Sequence, residues 1–236
     1  MLTKSFVKIA LAIALAVGIS SFASHTVSAD VVLGQVDDFS GGTADDWVEG
    51  GASPNPPTHN SGTGPDGAAG HLQNAADGAG SGGRLLMWND DNRWQGNYIT
   101  AGVPGINFAA DNRSGNGTQM NLRIGMFGGG GWFVSNAVAL ADGSGWTDIS
   151  YDLSSLTHVA AGGGTGVLND TLTSVTRFEI LSAAGTPSFG SGGNLLQGDN
   201  LVGDLRIDNI TAVPEPGMIG LLAIAGLAGL SRRRRS

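Results

Sequence analysis

The chain of 236 residues has no cysteine. Disulfide staples, thiolate nucleophiles and cysteine-ligated metals are therefore excluded, and the fold must rely on its apolar core. Lysine is almost as scarce, occurring only at Lys4 and Lys8. Of the twelve basic residues, those two and four C-terminal arginines lie outside residues 30–212, and of the twenty acids only Glu215 does. The central region thus sets six arginines against nineteen carboxylates, a net charge of −13. Such a surface repels phosphate backbones and anionic headgroups, so nucleic acid is excluded as a partner. Glutamate is rare there too, with only Glu49 and Glu179. No segment between the termini carries a sustained helical stripe, and no internal repeat suggests a solenoid or propeller.

Glycine is what the chain has in excess, 40 of 236 residues. It clusters in runs such as Gly128–Gly131 and Gly162–Gly164 without a three-residue period, which rules out collagen and disfavours long helices. Short segments with strand character lie between the runs. The clearest is Thr118–Phe127, where Met120, Leu122, Ile124 and Met126 alternate with Gln119, Asn121, Arg123 and Gly125. That period of two sends one face to a core and the other outward. Val31–Phe39, Arg84–Trp88, Gly105–Ala109, Trp132–Ala139, Trp146–Tyr151, Ser174–Ser182 and Asp204–Ala212 are further candidates. Three stretches read as long loops: Gly50–Gly70, Ala160–Thr173 and Ala183–Gly203. The first carries Pro54, Pro56 and Pro57 and is expected not to pair in a sheet. The sum is an all-β, jelly-roll-like β-sandwich over residues 30–212.

The two ends are of a different kind. Lys4 and Lys8 precede an apolar run, Ile9–Ile19, and the small residues Val27-Ser28-Ala29 follow. This is the layout of a secretory signal peptide over residues 1–29, forming a signal helix and cleaved between Ala29 and Asp30, with the Sec export machinery as partner. Residues 213–236 hold Val213-Pro214-Glu215-Pro216, then the uncharged Gly217–Leu230, then Arg232, Arg233, Arg234 and Arg235. The prolines keep their stretch extended and readable. Fourteen residues as a short apolar helix cover about 21 Å, less than the ~30 Å hydrocarbon core, which suits transient membrane insertion better than a lasting span. The arginines hold the end on the cytoplasmic side.

This order resembles the PEP-CTERM sorting signal of Gram-negative bacteria. The resemblance implies handling by an exosortase, transient anchoring in the inner membrane, and delivery to the cell surface or the extracellular matrix of a biofilm. A second resemblance covers about Val31 to Thr211. Asp37-Asp38-Phe39 with Trp47, Arg93-Trp94-Gln95-Gly96-Asn97-Tyr98, Gly105-Ile106-Asn107-Phe108, Asn121-Leu122-Arg123-Ile124, Asp142-Gly143-Ser144-Gly145-Trp146 and Leu205-Arg206-Ile207-Asp208-Asn209-Ile210 look like the succession in laminin-B-like and carbohydrate-binding jelly rolls. It implies first and last strands side by side. It also implies a possible structural Ca²⁺ held by Asp38 and Asp208, with Asp37 as a third carboxylate.

Sugar rings stack on flat side chains, so Trp88, Trp94 and Trp132 are the expected ligand platforms, with Tyr98 and Trp146 in reserve. Catalysis is not expected. Glu49 adjoins the proline-rich loop, and Glu179 beside Arg177 reads as a solvent-facing ion pair. No Gly-x-Ser-x-Gly elbow occurs, and His59 and His71 make a poor metal pair. The expectation is an exported, non-catalytic surface or matrix protein associated with exopolysaccharide. The alternatives are a glycan-binding module with an exposed aromatic platform, and a divergent glycoside hydrolase.

Overall fold

A computed structural model describes residues 30–214, apart from 50–54, 68, 81–82, 90 and 190–194. The signal helix, the apolar C-terminal helix, Ala29, Glu215, Pro216 and Arg232–Arg235 lie outside the described residues. Among those described, no helix is long and apolar enough to cross a membrane.

The chain begins with β1 (Val36–Asp37), β2 (Trp47–Val48), β3 (Thr58–Thr63), β4 (Ala69–Asp77) and β5 (Leu86–Asn89). A short helix α1 (Tyr98–Ala101) leads to β6 (Gly105–Asn112), β7 (Met120–Gly128), β8 (Gly131–Val134), β9 (Val138–Leu140), β10 (Thr147–Asp152) and β11 (Thr157–His158). After α2 (Leu168–Leu172) come β12 (Arg177–Ser182), β13 (Ser188–Phe189), β14 (Leu196–Gln197) and the long β15 (Val202–Val213). Asn97 caps α1 by accepting from the Thr100 amide at 2.9 Å, and Gly102 ends it in the left-handed region.

Two antiparallel sheets face each other. The first runs β10-β6-β15-β4-β3, with β1 also on β15; the second runs β11-β8-β7-β12-β5-β2, with β9 on β7. First and last strands do lie side by side, Asp37 opposite Ile210. The alternation in β7 is realised: Met120, Leu122, Ile124 and Met126 are fully buried, against Phe178 and Ile180 of β12. The glycine run Gly128–Gly131 closes the β7–β8 hairpin, with Gly129-Gly130 as its two-residue loop. This is a jelly-roll-like β-sandwich.

Three expectations change. Pro54–Pro57 does not abolish pairing in Gly50–Gly70: β3 forms directly after Pro57 and pairs with β4, because edge position leaves one side of the strand free of ladder demands. Val31–Phe39 contributes only two strand residues, since Val31 is tied instead to the Gln95 carbonyl at 2.8 Å. Ala183–Gly203 is not plain surface. Its hairpin β13–β14 lies on the outer face of the second sheet and builds a second apolar core with Leu86, Trp88, Trp132, Val134, Leu181 and Leu196. Gly125 of β7 permits this approach, because a Cβ there would stand 2.6 Å from Leu196 Cδ1. The molecule is therefore three layers thick at that point.

Candidate functional site

With the outer face of the second sheet covered, the outer face of the first sheet is where polar side chains gather. Inward Ile106, Phe108 and Ala110 of β6 leave Asn107, Ala109 and Asp111 outward, and inward Ile149 and Tyr151 of β10 leave Asp148 and Ser150 outward. On β15, Leu205 and Ile207 point in, so Arg206 and Asp208 point out. A bulge between Asp208 and Thr211, with Asn209 at φ 55°, then shifts the register against β6.

Trp146 sits one residue before β10 and is half-buried. Its ring meets the His71 ring of β4 edge-on, with centroids 5.6 Å apart and an interplanar angle of 76°. Two strands separate β10 from β4, a width of about 14 Å at ~4.8 Å per spacing. The indole therefore reaches across the sheet toward β4. Burial, with the Arg206 charge nearby, holds the His71 ring below its ordinary pKa, so it is neutral at neutral pH. Around this floor Asp204 accepts from Gln73 Nε2 at 2.8 and 2.9 Å, and Gln73 Oε1 accepts from Asn60 at 2.7 Å. Asp111 is fully buried and accepts from Arg113 Nε at 2.5 Å.

Beyond the indole the same face opens into a cavity of about 440 Å³, lined among others by Asp66, Asn107, Asp148, Ser150 and Asn209. Ser150 donates to Asn107 Oδ1 at 2.6 Å across the strand pair. The sheet face thus holds an aromatic side chain and, about 13 Å along the strand at Ser150, a hydroxyl-, amide- and carboxylate-lined hollow. Such a surface can stack on a ring and hydrogen-bond its hydroxyls.

The tryptophans expected as platforms are elsewhere. Trp94 and Trp132 are completely buried and Trp88 is 7% exposed, so none can stack on a ligand. Trp94 and Trp47 both donate their indole N–H to Asp37 Oδ2, at 2.9 and 2.8 Å, and flank Phe178. Trp88 carries the Arg177 guanidinium over its ring at 5.1 Å, and Trp132 packs in the second core. By sequence Trp146 is only a secondary candidate for a platform. Its signal was its position after the Asp142–Gly145 turn at the start of an alternating strand.

The carboxylates divide as well. Asp37 cannot serve a metal: Arg93 binds its other oxygen at 2.9 Å. Burial nonetheless raises its carboxyl above the ordinary range. Asp38 is exposed and accepts from Ser40 N and Oγ at 3.1 and 2.8 Å, contacts that lower its carboxyl. Asp208 is buried; desolvation, with the Asp66 and Asp38 charges added, pushes its carboxyl up to about 6 against the opposing Asn209 amide. Gly64 packs on Asp208 Oδ2 so closely that no Cβ could fit. Asp38, Asp66 and Asp208 therefore share one neighbourhood, although among the described residues no three His, Cys, Asp or Glu side chains converge at metal-binding distance.

Glu49 accepts from Asn74 of the first sheet at 3.0 Å, whereas Glu179 is fully buried on the far side of the second sheet under β14. The solvent-facing position expected for Glu179 beside Arg177 is not found, because the hairpin covers that face. Neither Glu179 oxygen has a hydrogen-bond partner of good geometry, and burial raises its carboxyl well above the ordinary range despite Arg177 and the Leu196 amide.

The sandwich ends at Val213, the last residue of β15, followed by half-buried Pro214. At the other end Asp30 bridges to Gln95.

The class defined by this architecture is the jelly-roll β-sandwich, and solved structures of that class resemble the chain. An exo-β-agarase does so with a TM-score of 0.51 at 13% identity over 78% of this chain, which corresponds to 25% of that enzyme. The family 11 carbohydrate-binding module from Clostridium thermocellum gives 0.46 at 13% identity, covering 78% of this chain and 97% of the module. The C-terminal family 22 module of Clostridium thermocellum Xyn10B gives 0.42 at 13%, covering 75% and 92%. No curated protein matches the sequence. Residues 212–235 match the PEP-CTERM protein-sorting motif. The chain thus carries the sorting tail of an exported, exosortase-handled protein, beginning where the last strand ends.

Proposed function

We propose that this is a non-catalytic protein of the cell surface or extracellular matrix that holds polysaccharide on the outer face of its first sheet. The observation that carries the reading is half-buried Trp146 on the same sheet face as the polar cavity of Asn107, Asp148 and Ser150. The acidic domain disfavours polyanionic glycans, so the polymer is neutral. Export through the Sec machinery, transient anchoring by the tail and exosortase handling complete the route. Glu49 is held by Asn74 and Glu179 is buried in the second sheet, so neither glutamate lines the cavity, and we place no hydrolysis here. Affinity electrophoresis against neutral polysaccharides tests the proposal. Trp146→Ala should weaken retention about tenfold or more, equivalent to ~1.4 kcal/mol, without lowering the melting point. Equal retention of the variant and the parent would overturn it.

A calcium ion beside Asp38 and Asp208 belongs to the same proposal, as a stabiliser rather than a ligand contact. Its support is the approach of Asp66 and Asp38 to the buried Asp208 carboxylate. Calcium should raise the melting midpoint of chelator-treated protein, and Asp208→Asn should abolish that rise. No response to calcium would remove the ion from the account.

A further inference from the structure

Two apolar hollows meet where the sandwich hands over to the tail. The larger, of about 830 Å³, is walled by Val103, Leu153 and Leu168 among others; the smaller, of about 370 Å³, reaches Leu33. Ile99 and Pro214 belong to both, so the pair forms one trough with the end of the sandwich as its wall. Ile99 is 51% exposed and Leu33 41%. Side chains of this kind gathered around a concavity mark a surface that something covers.

We propose that the trough is covered by the chain's own tail, Gly217–Leu230, whenever that segment is outside a membrane, and that processing uncovers it. Position favours this occupant. Pro214 lines the trough, and Met218 follows four residues later, within about 14 Å of extended chain. Chemistry favours it too, because the segment is uncharged and apolar and would otherwise stand in water between synthesis and insertion. Charge agrees: Arg232–Arg235 follow the apolar segment, and Asp152 lines the larger hollow of a domain at −13. The trough is then a shield for the sorting segment before insertion and a newly exposed apolar surface after release.

The absence of cysteine makes the test clean. In the signal-cleaved chain, residues 30–236, Ile99→Cys is paired with Leu221→Cys and oxidised with diamide in detergent-free buffer. An intramolecular disulfide should form in most chains. Val202→Cys with Leu221→Cys is the control, since exposed Val202 stands at the opposite end of β15. Adding Leu168→Asp should reduce the cross-link to the control level. Adding Ile219→Asp and Leu222→Asp in the tail should do the same while leaving the trough itself untouched, so that loss cannot be blamed on misfolding. Equal yields for test and control pairs, a disulfide only between copies, or a yield indifferent to the tail substitutions would overturn the proposal.

Discussion

At the scale of single residues, the strongest constraint is Asp37. One carboxylate satisfies two buried indole N–H groups and the Arg93 guanidinium, tying β1 to β2 and to the turn after β5. Asp37→Ala would strand all three donors in the core. It should cost about 3–5 kcal/mol, lowering the melting midpoint by roughly 10 °C, with Asp37→Asn losing less because one acceptor remains. The jelly-roll resemblance offered Asp37 only as a third carboxylate beside Asp38 and Asp208, since a carboxylate beside a strand end looks the same in sequence whether it meets a cation or an indole. The same limit applies to Trp88, Trp94 and Trp132. Residue type marked them as large and flat; only packing shows that their faces are occupied. Trp146 differs in being only half-buried.

At the scale of elements, the hairpin β13–β14 has the largest consequence. By lying on the second sheet it turns an outward row, Arg177-Glu179-Leu181, into the base of a second core and removes Glu179 from water. The raised Glu179 carboxyl then has a definite sign in stability. The folded state keeps the proton to higher pH than the unfolded state does, so stability falls as pH rises from near the ordinary glutamate value of 4.5 up to the folded pKa, and levels off above it. Glu179→Gln should flatten that decline. Its melting midpoint should exceed the parent's by a few degrees at pH 8 and match it at pH 4, as thermal melts across pH would show. An unchanged pH profile would mean that Glu179 is not the group responsible. The strands themselves were readable to different degrees. The regular alternation of β7 and β15 was plain in the sequence. β3 and β4 were not, because Thr58–Thr63 follows three prolines and Ala69–Asp77 is rich in alanine and asparagine, which have weak strand propensity. Pairing with β15 makes β4 a strand where local propensity does not.

At the scale of the whole molecule, sorting and folding are joined at one point. The sorting motif begins at residue 212 and β15 ends at Val213, so the address starts within the last strand. Replacing Pro214-Glu215-Pro216 by alanines should leave the sandwich's circular dichroism intact. It should also leave the protein cell-associated and unprocessed, read by fractionation and immunoblotting. Unchanged processing would break the link between this motif and release. The same junction borders the apolar trough, which Pro214 lines.

The sequence by itself determined that the protein is exported and sorted, and the class of fold. Export and sorting are read from contiguous residues, and an alternating pattern with glycine-rich turns permits little besides an antiparallel sandwich. It also determined the charge, which needs no geometry. Tertiary structure alone decided which polar and aromatic groups face outward. Whether a strand's second face meets water or another layer depends on a hairpin some seventy residues further along the chain. No local pattern records that contact. On the first sheet it is the edge strand β10, with half-buried Trp146 just before it, that keeps polar side chains such as Asp148 and Ser150 exposed.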